Sequence, residues 1–154
     1  MKLAELNVAY AAHDLDSPKM ADFMDNLDRV NALAERSPGY VWRLQSDSGN
    51  ATDISVPDEP NMLPNMSLWD SVGDLGNYVF NTVHARFYER RAEWFKVMKS
   101  FHFVMWYVED GHIPTLAEAM DRLAHLDQHG SSDHAFGWDY VDQSAWRRCA
   151  VAAE

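Results

Sequence analysis

Cysteine is all but missing from this sequence: Cys149 is the single example among 154 residues, which rules out an internal disulfide and any cysteine-based zinc site. Positive charge is scarce too. Thirteen Lys and Arg stand against 24 Asp and Glu, a net charge of −11. So acidic a chain lacks the basic face on which phosphate binding and counterion release depend. The balance argues against a nucleic-acid partner and against an anionic membrane surface. No run comes near the ~18 apolar residues of a membrane span, and Glu5 interrupts the start of the chain where a signal peptide needs an apolar stretch. There is no Gly-rich phosphate loop, P-loop, Gly-x-Ser-x-Gly elbow or internal repeat. The expectation is a cytoplasmic protein of one domain, without a membrane partner.

What the chain does hold is apolar and aromatic material: 47% hydrophobic residues, with six Trp, six Tyr and seven Phe, enough to bury a core. Residues 2–10 alternate, with Ala4, Leu6, Val8 and Tyr10 on one side and Leu3, Glu5, Asn7 and Ala9 on the other, the period of a strand with two unlike faces. Ser17 and Pro18 supply an N-cap and a first-turn proline for a helix through Met20, Phe23, Met24, Leu27, Val30 and Ala34. Ser37-Pro-Gly39 ends it. A second strand is predicted over 40–45, a polar loop over 46–61, and a third strand over 62–69 in which Pro64 marks an edge or a bulge. Ser71 and Asp74 resemble a capping pair, ahead of a helix whose start Gly73 and Gly76 should make irregular.

Residues 83–95 read as one helix, with Arg86, Glu89, Arg90 and Glu93 on a charged face and His84, Phe87, Tyr88, Arg91 and Phe95 on the other. The almost wholly apolar 101–108 is predicted as a central strand buried on both faces. Thr115 and Glu118 form a capping box for a last helix through Leu116, Met120, Leu123 and Leu126, closed by Gly130. The order is that of an α+β fold with a ferredoxin-like split β-α-β-β-α-β sheet and an extra C-terminal helix. The domain is expected over 1–138, with a tail over 139–154. Helices on a single sheet face leave the other face apolar and uncovered, which implies a homodimer with the two sheets packed face to face.

Several segments, in order, resemble an uncharacterised bacterial family, the DUF3291 proteins: Leu3-Ala-Glu-Leu-Asn7-Val-Ala, Asn31-Ala-Leu-Ala-Glu-Arg-Ser-Pro-Gly-Tyr-Val-Trp-Arg-Leu-Gln45, Asn65-Met-Ser-Leu-Trp-Asp-Ser71, His84-Ala-Arg-Phe-Tyr-Glu-Arg-Arg-Ala-Glu-Trp-Phe95 and Trp106-Tyr-Val-Glu-Asp-Gly-His-Ile-Pro-Thr115. The resemblance covers residues 2–138. That family looks like a branch of the dimeric α/β-barrel superfamily, which holds antibiotic-biosynthesis monooxygenases, haem-degrading monooxygenases and small cyclases or isomerases. The resemblance implies a dimeric α/β barrel and a small-molecule enzyme of natural-product or aromatic metabolism. Related monooxygenases place an Asn on the first strand, an aromatic on the helix after the third strand and a His beyond it; the matching positions are Asn7, Tyr78 and His84. The haem-degrading branch has Trp where this chain has Tyr78, and its aromatic-to-His spacing is longer.

Read from the residues, His84 is the acid or base candidate, since an imidazole on a mostly apolar helix face titrates near neutral pH. The alternative is a core-edge histidine bonded to a carbonyl. Arg91 on the same predicted face needs an anionic or carbonyl partner: Glu5 in a salt bridge, or a substrate oxygen. Glu5 with Asn7, Arg43 with Gln45, and Asn65 with Ser67 put two polar residues on one side of each of three strands, either lining a pocket or lying at a solvated edge or dimer interface. Trp42, Trp69, Trp94 and Trp106 can hold a flat ligand or simply fill the core. His125 and His129 have metal-ligand spacing but lie off the apolar stripe.

The expected catalytic set is therefore His84, Asn7 and Arg91, with Glu5, Arg43, Asn65, Ser67, Trp69, Tyr78, Tyr88 and Trp106 binding a small aromatic or polyketide-like molecule. The expected chemistry is cofactor-independent monooxygenation, cyclisation or isomerisation, without haem or metal. A non-catalytic hydrophobic-ligand-binding protein and a haem-binding or haem-degrading protein are the alternatives.

Overall fold

Period-two alternation at the start of the chain becomes β1 (Lys2–Tyr10) in the computed structural model, which describes residues 1–98 and 101–141. A one-turn 3-10 segment, Pro18–Met20, capped by the Ser17 hydroxyl, leads into α1 (Ala21–Arg36). Then come β2 (Tyr40–Arg43), β3 (Met62–Trp69), α2 (Val72–Asn81), α3 (His84–Glu89), β4 (Phe103–Val108) and α4 (Leu116–His129). The strands form one antiparallel sheet in the order β2-β3-β1-β4, which is the split βαβ arrangement. No helix among the described residues is long and apolar enough to cross a membrane. Cys149 lies outside the described residues.

The two faces of β1 belong to two cores. Leu3 packs with Ala34 of α1 and with Leu75 and Tyr78 of α2, beside Trp69 and Met105. Ala4, Leu6 and Val8 pack with Met66, Leu68, Val104 and Trp106, and against them lie Ala119, Leu123 and Leu126 of α4, with Val56 of the 46–61 loop. The premise of an uncovered sheet face is thus corrected: the apolar stripe of α4 and the folded-back loop bury it within one chain. A homodimer built through that face would have to displace α4.

β4 is also corrected, from a central strand to an edge. It pairs with β1 on one side, and its free side is partly satisfied by Phe136, whose backbone exchanges two hydrogen bonds with Met105 at 2.7 and 2.9 Å. Its apolar character comes from the two helical layers above and below it. β2 is shorter than expected and ends at Arg43. Pro64 sits in an inner strand beyond the end of β2: Leu44 N–H reaches the Met66 carbonyl, and two residues further along β3 the missing proline N–H has no strand facing it. α2 starts regularly despite Gly73 and Gly76, because Ser71 accepts the Asp74 N–H at 3.1 Å.

The predicted helix over 83–95 breaks. α3 stops at Glu89 and a 3-10 turn follows over Arg91–Glu93. The break lets Trp94 bury itself against Phe23 and lets the chain pair with the end of β1, Ala12 N–H donating to Trp94 and Lys96 N–H to Tyr10. Arg90 anchors the turn through Glu93 and Asp22, both at 2.9 Å.

Candidate functional site

On the face covered by α1 and α2, the strands align their polar residues in two rows. Glu5 of β1 lies opposite Ser67 of β3, which lies opposite Arg43 of β2; two residues further along, Asn7 lies opposite Asn65. Exposure rises along this face, from Glu5 at 4% and Ser67 at 8% to a half-buried Asn7 and an exposed Asn65. The Ser67 hydroxyl donates to Glu5 Oε1 at 2.6 Å and accepts the Trp69 indole N–H at 2.9 Å. Glu5 Oε2 is buried with no hydrogen-bond partner. Burial disfavours the charged form and pushes the Glu5 carboxyl up to about 7, against the pull of Ser67 and of the nearby Asn7 amide, which does not reach hydrogen-bonding geometry at Oε2.

Trp69 carries an aromatic stack over this row. Tyr78 lies on it at 5.2 Å between ring centroids, and Tyr40 meets its edge at 5.7 Å. The Tyr78 hydroxyl donates to the Val30 carbonyl at 3.3 Å and ties α2 to α1. Burial, with Glu5 nearby, holds that phenol well above its ordinary range. α2 begins where β3 ends, carries Tyr78 over the Trp69 ring and ends at Asn81. There Thr82 leaves the helix; its hydroxyl donates to the Tyr78 carbonyl at 2.6 Å and accepts the His84 N–H at 3.2 Å. This delivers the His84 ring to the Tyr78 ring, 4.9 Å between centroids.

His84 Nδ1 lies 3.2 Å from the Val79 carbonyl. A carbonyl only accepts, so Nδ1 bears the proton and Nε2, which has no partner among the described residues, keeps its lone pair. Burial lowers the His84 pKa, partly opposed by that carbonyl, so the ring is neutral at pH 7. A neutral base with a fixed tautomer thus meets the Tyr78 ring, and a carboxyl that keeps its proton to about pH 7 lies near enough for its charge to act on the Tyr78 phenol.

The structure separates two expected residues, Arg91 and Trp106, from this group. Arg91 follows the break after α3, is exposed, stacks on Tyr88 with its guanidinium 4.1 Å from the ring centre, and donates to the Tyr88 carbonyl at 2.8 Å. It has no contact with Glu5, and the shared face with His84 does not exist. Tyr88 stays beside His84, its ring stacked at 6.5 Å between centroids and 40% exposed. Trp106 points to the opposite sheet face, fully buried, with its N–H on Glu118 at 3.2 Å. Arg43 is in the row, but its Nε is paired with Glu35 of α1 at 2.9 Å.

Two features were not foreseen. Tyr40 flanks Trp69 because a register shift between Tyr40 and Trp42 puts them on opposite faces, which simple alternation hides. The Thr115 cap forms, but the Glu118 carboxylate turns to His112 at 2.7 Å and Trp106 in place of the helix start. His125 has His129 and His134 at 4.6 and 4.5 Å between ring centres, with Arg122 bonded to His134. Among the described residues no group of three His, Cys, Asp or Glu side chains is gathered to hold a metal ion.

No curated protein matches the chain. Among solved structures, a Nitrosomonas europaea protein placed by its name among the antibiotic biosynthesis monooxygenases is similar at 15% identity, with 71% of this chain and 92% of that chain covered and a TM-score of 0.48. SnoaB, a cofactor-independent oxygenase from Streptomyces nogalater, is similar at 13% identity over 71% of this chain and 94% of that chain, with a TM-score of 0.46. NE2512, a Nitrosomonas europaea protein of unknown function, is similar at 14% identity over 74% and 95%, with a TM-score of 0.47. Residues 2–150 match the family model described as a domain of unknown function, DUF3291, and the chain belongs to that family.

Proposed function

We propose that the protein is a small-molecule enzyme acting on a planar aromatic or polyketide-like compound at the helix-covered face of the sheet, with His84 as general base. The observation that carries this reading is the state of His84: neutral, fixed in tautomer by the Val79 carbonyl, seated on the Tyr78–Trp69 stack, with Nε2 free. Asn7, at the half-buried end of the polar rows, supplies an amide donor for the oxygen that becomes negative when the base takes a proton. Arg91 has no part in it.

In monooxygenase-like chemistry His84 removes a proton from an activated ring position and the resulting anion reduces O₂. A CH₂ becomes C=O, the second oxygen atom leaves as water, and the substrate supplies all four electrons. Cyclisation or isomerisation uses the same base without O₂. The test is to incubate the protein with a panel of hydroxyanthrones and naphthols, following oxygen uptake and absorbance. Turnover should fall about 10²-fold or more in His84→Gln, with the fold intact by circular dichroism. Equal turnover in the two proteins refutes the reading.

A further inference from the structure

We propose that Glu5 is the general acid that works with His84, so that the reaction at this site is proton relocation on an enolisable carbonyl compound. This rests on the reading of His84 as base and adds to it the second group and the substrate class. The argument starts from an orphan. Glu5 is almost wholly buried, one oxygen is committed to Ser67, and the other has no partner. A fold gains nothing from a carboxyl left half-satisfied; apolar residues of similar volume would be tolerated better. Such a group fits a site that is completed by a ligand oxygen. The rising exposure from Glu5 through Asn7 to Asn65 marks the side from which that ligand approaches, and Tyr78 joins the two groups, its ring 4.9 Å from that of His84 and its phenol within reach of the Glu5 charge.

The environments of the two groups invert their usual order. A free carboxyl loses its proton well before an imidazolium does, whereas here the carboxyl is held to about 7 and the imidazole is lowered from 6.5. Near neutral pH a carboxylic acid and a neutral imidazole therefore coexist, which is the pairing that acid–base catalysis needs. The polar and titratable groups around Glu5 are Ser67 and Asn7 on the sheet, Arg43 beyond Ser67 in the same row, and Tyr78 from α2, with apolar Met105 opposite it on β4. Those around His84 are Tyr78 and Tyr88. The positive charge of Arg43 is paired with Glu35 of α1 at 2.9 Å. In the step itself, His84 Nε2 takes a proton from carbon next to a carbonyl, and Glu5 gives its proton to the carbonyl oxygen. The C–H pair becomes the new C=C and the carbonyl becomes an enol. Reversal at another carbon returns both protons, with no change of oxidation state.

The experiment follows deuterium entry into 2-tetralone in D₂O by proton NMR, with the full chain. The expected result is exchange above the buffer rate that falls about 10²-fold in Glu5→Gln and in His84→Gln. The double variant should be little slower than either single one, and Glu5→Asp should keep part of the rate. Exchange lost only in His84→Gln overturns the role of Glu5 and leaves the base. No exchange above buffer overturns the enolisable-carbonyl class, while oxygen-dependent turnover of hydroxyanthrones would then still uphold the proposed function. A second measurement needs no substrate. The Glu5 carboxyl, identified in carbon-13 spectra by its loss in Glu5→Gln, should titrate near 7; a midpoint in the ordinary carboxylate range overturns the proposal.

Discussion

Replacing Glu5 by Gln should stabilise the protein, and by an amount that depends on pH. The wild-type carboxyl keeps its proton from an unfolded value of 4.5 to about 7 in the folded state. Between those values the folded chain binds more protons than the unfolded one, so this group's contribution falls as pH rises through the window and is fully lost above it. At ~1.36 kcal/mol for each tenfold change in proton affinity, the loss is about 3 kcal/mol. Glutamine is close in shape, can still accept the Ser67 hydroxyl, and has no charge to bury. The stability difference, Glu5→Gln minus wild type, should therefore be small at pH 5 and grow by up to about 3 kcal/mol by pH 8. Urea unfolding at pH 5, 6, 7 and 8 measures it, and unchanged slopes confirm that both proteins unfold between the same states. Groups common to both proteins cancel in the difference. A difference that is flat with pH, or a variant less stable than wild type at pH 8, would refute the account of Glu5 as a carboxyl kept neutral by burial.

Leu123→Ala on the buried stripe of α4 should cost about 2–5 kcal/mol in chemical denaturation, because it opens a cavity above the β1–β4 half of the sheet; a loss under about 1 kcal/mol would show that α4 does not seal that face. Gly39 has φ +81°, and an added Cβ would strike the Asp74 side chain that Ser71 engages at the start of α2. Gly39→Ala should accordingly lose at least about 1–2 kcal/mol, read as a fall in Tm. Arg91→Ala, by contrast, should leave stability within about 0.5 kcal/mol and leave hydroxyanthrone turnover unchanged. A loss of turnover there would return Arg91 to the site.

Alternation in residues 2–10 sorts Glu5 and Asn7 from Leu6 and Val8 correctly, because a strand's period of two is rigid and each face meets a different core. The same rule fails at Tyr40, where the register shift moves the side chain to the other face. Helical periodicity joins His84 to Arg91 but carries no sign of the break at Arg90, which is set by Trp94 finding a buried place beside Phe23 and by the chain end of β1 needing a partner. For α4 the pattern shows that a stripe is buried, not what it is buried against; an amphipathic helix fits a partner subunit's sheet and its own equally well. The inversion of Glu5 and His84 is likewise invisible in one dimension, since it arises from the burial of both and the single hydrogen bonds each makes.

The short connection over 109–115 makes α4 a tethered ligand for the sheet it covers. A helix held on so short a leash is present at its docking face at an effective concentration on the order of millimolar. A second molecule offering a rival apolar surface at micromolar concentration starts about a thousandfold behind. The unfolding midpoint should then be independent of protein concentration, as it is for a chain that carries its own partner.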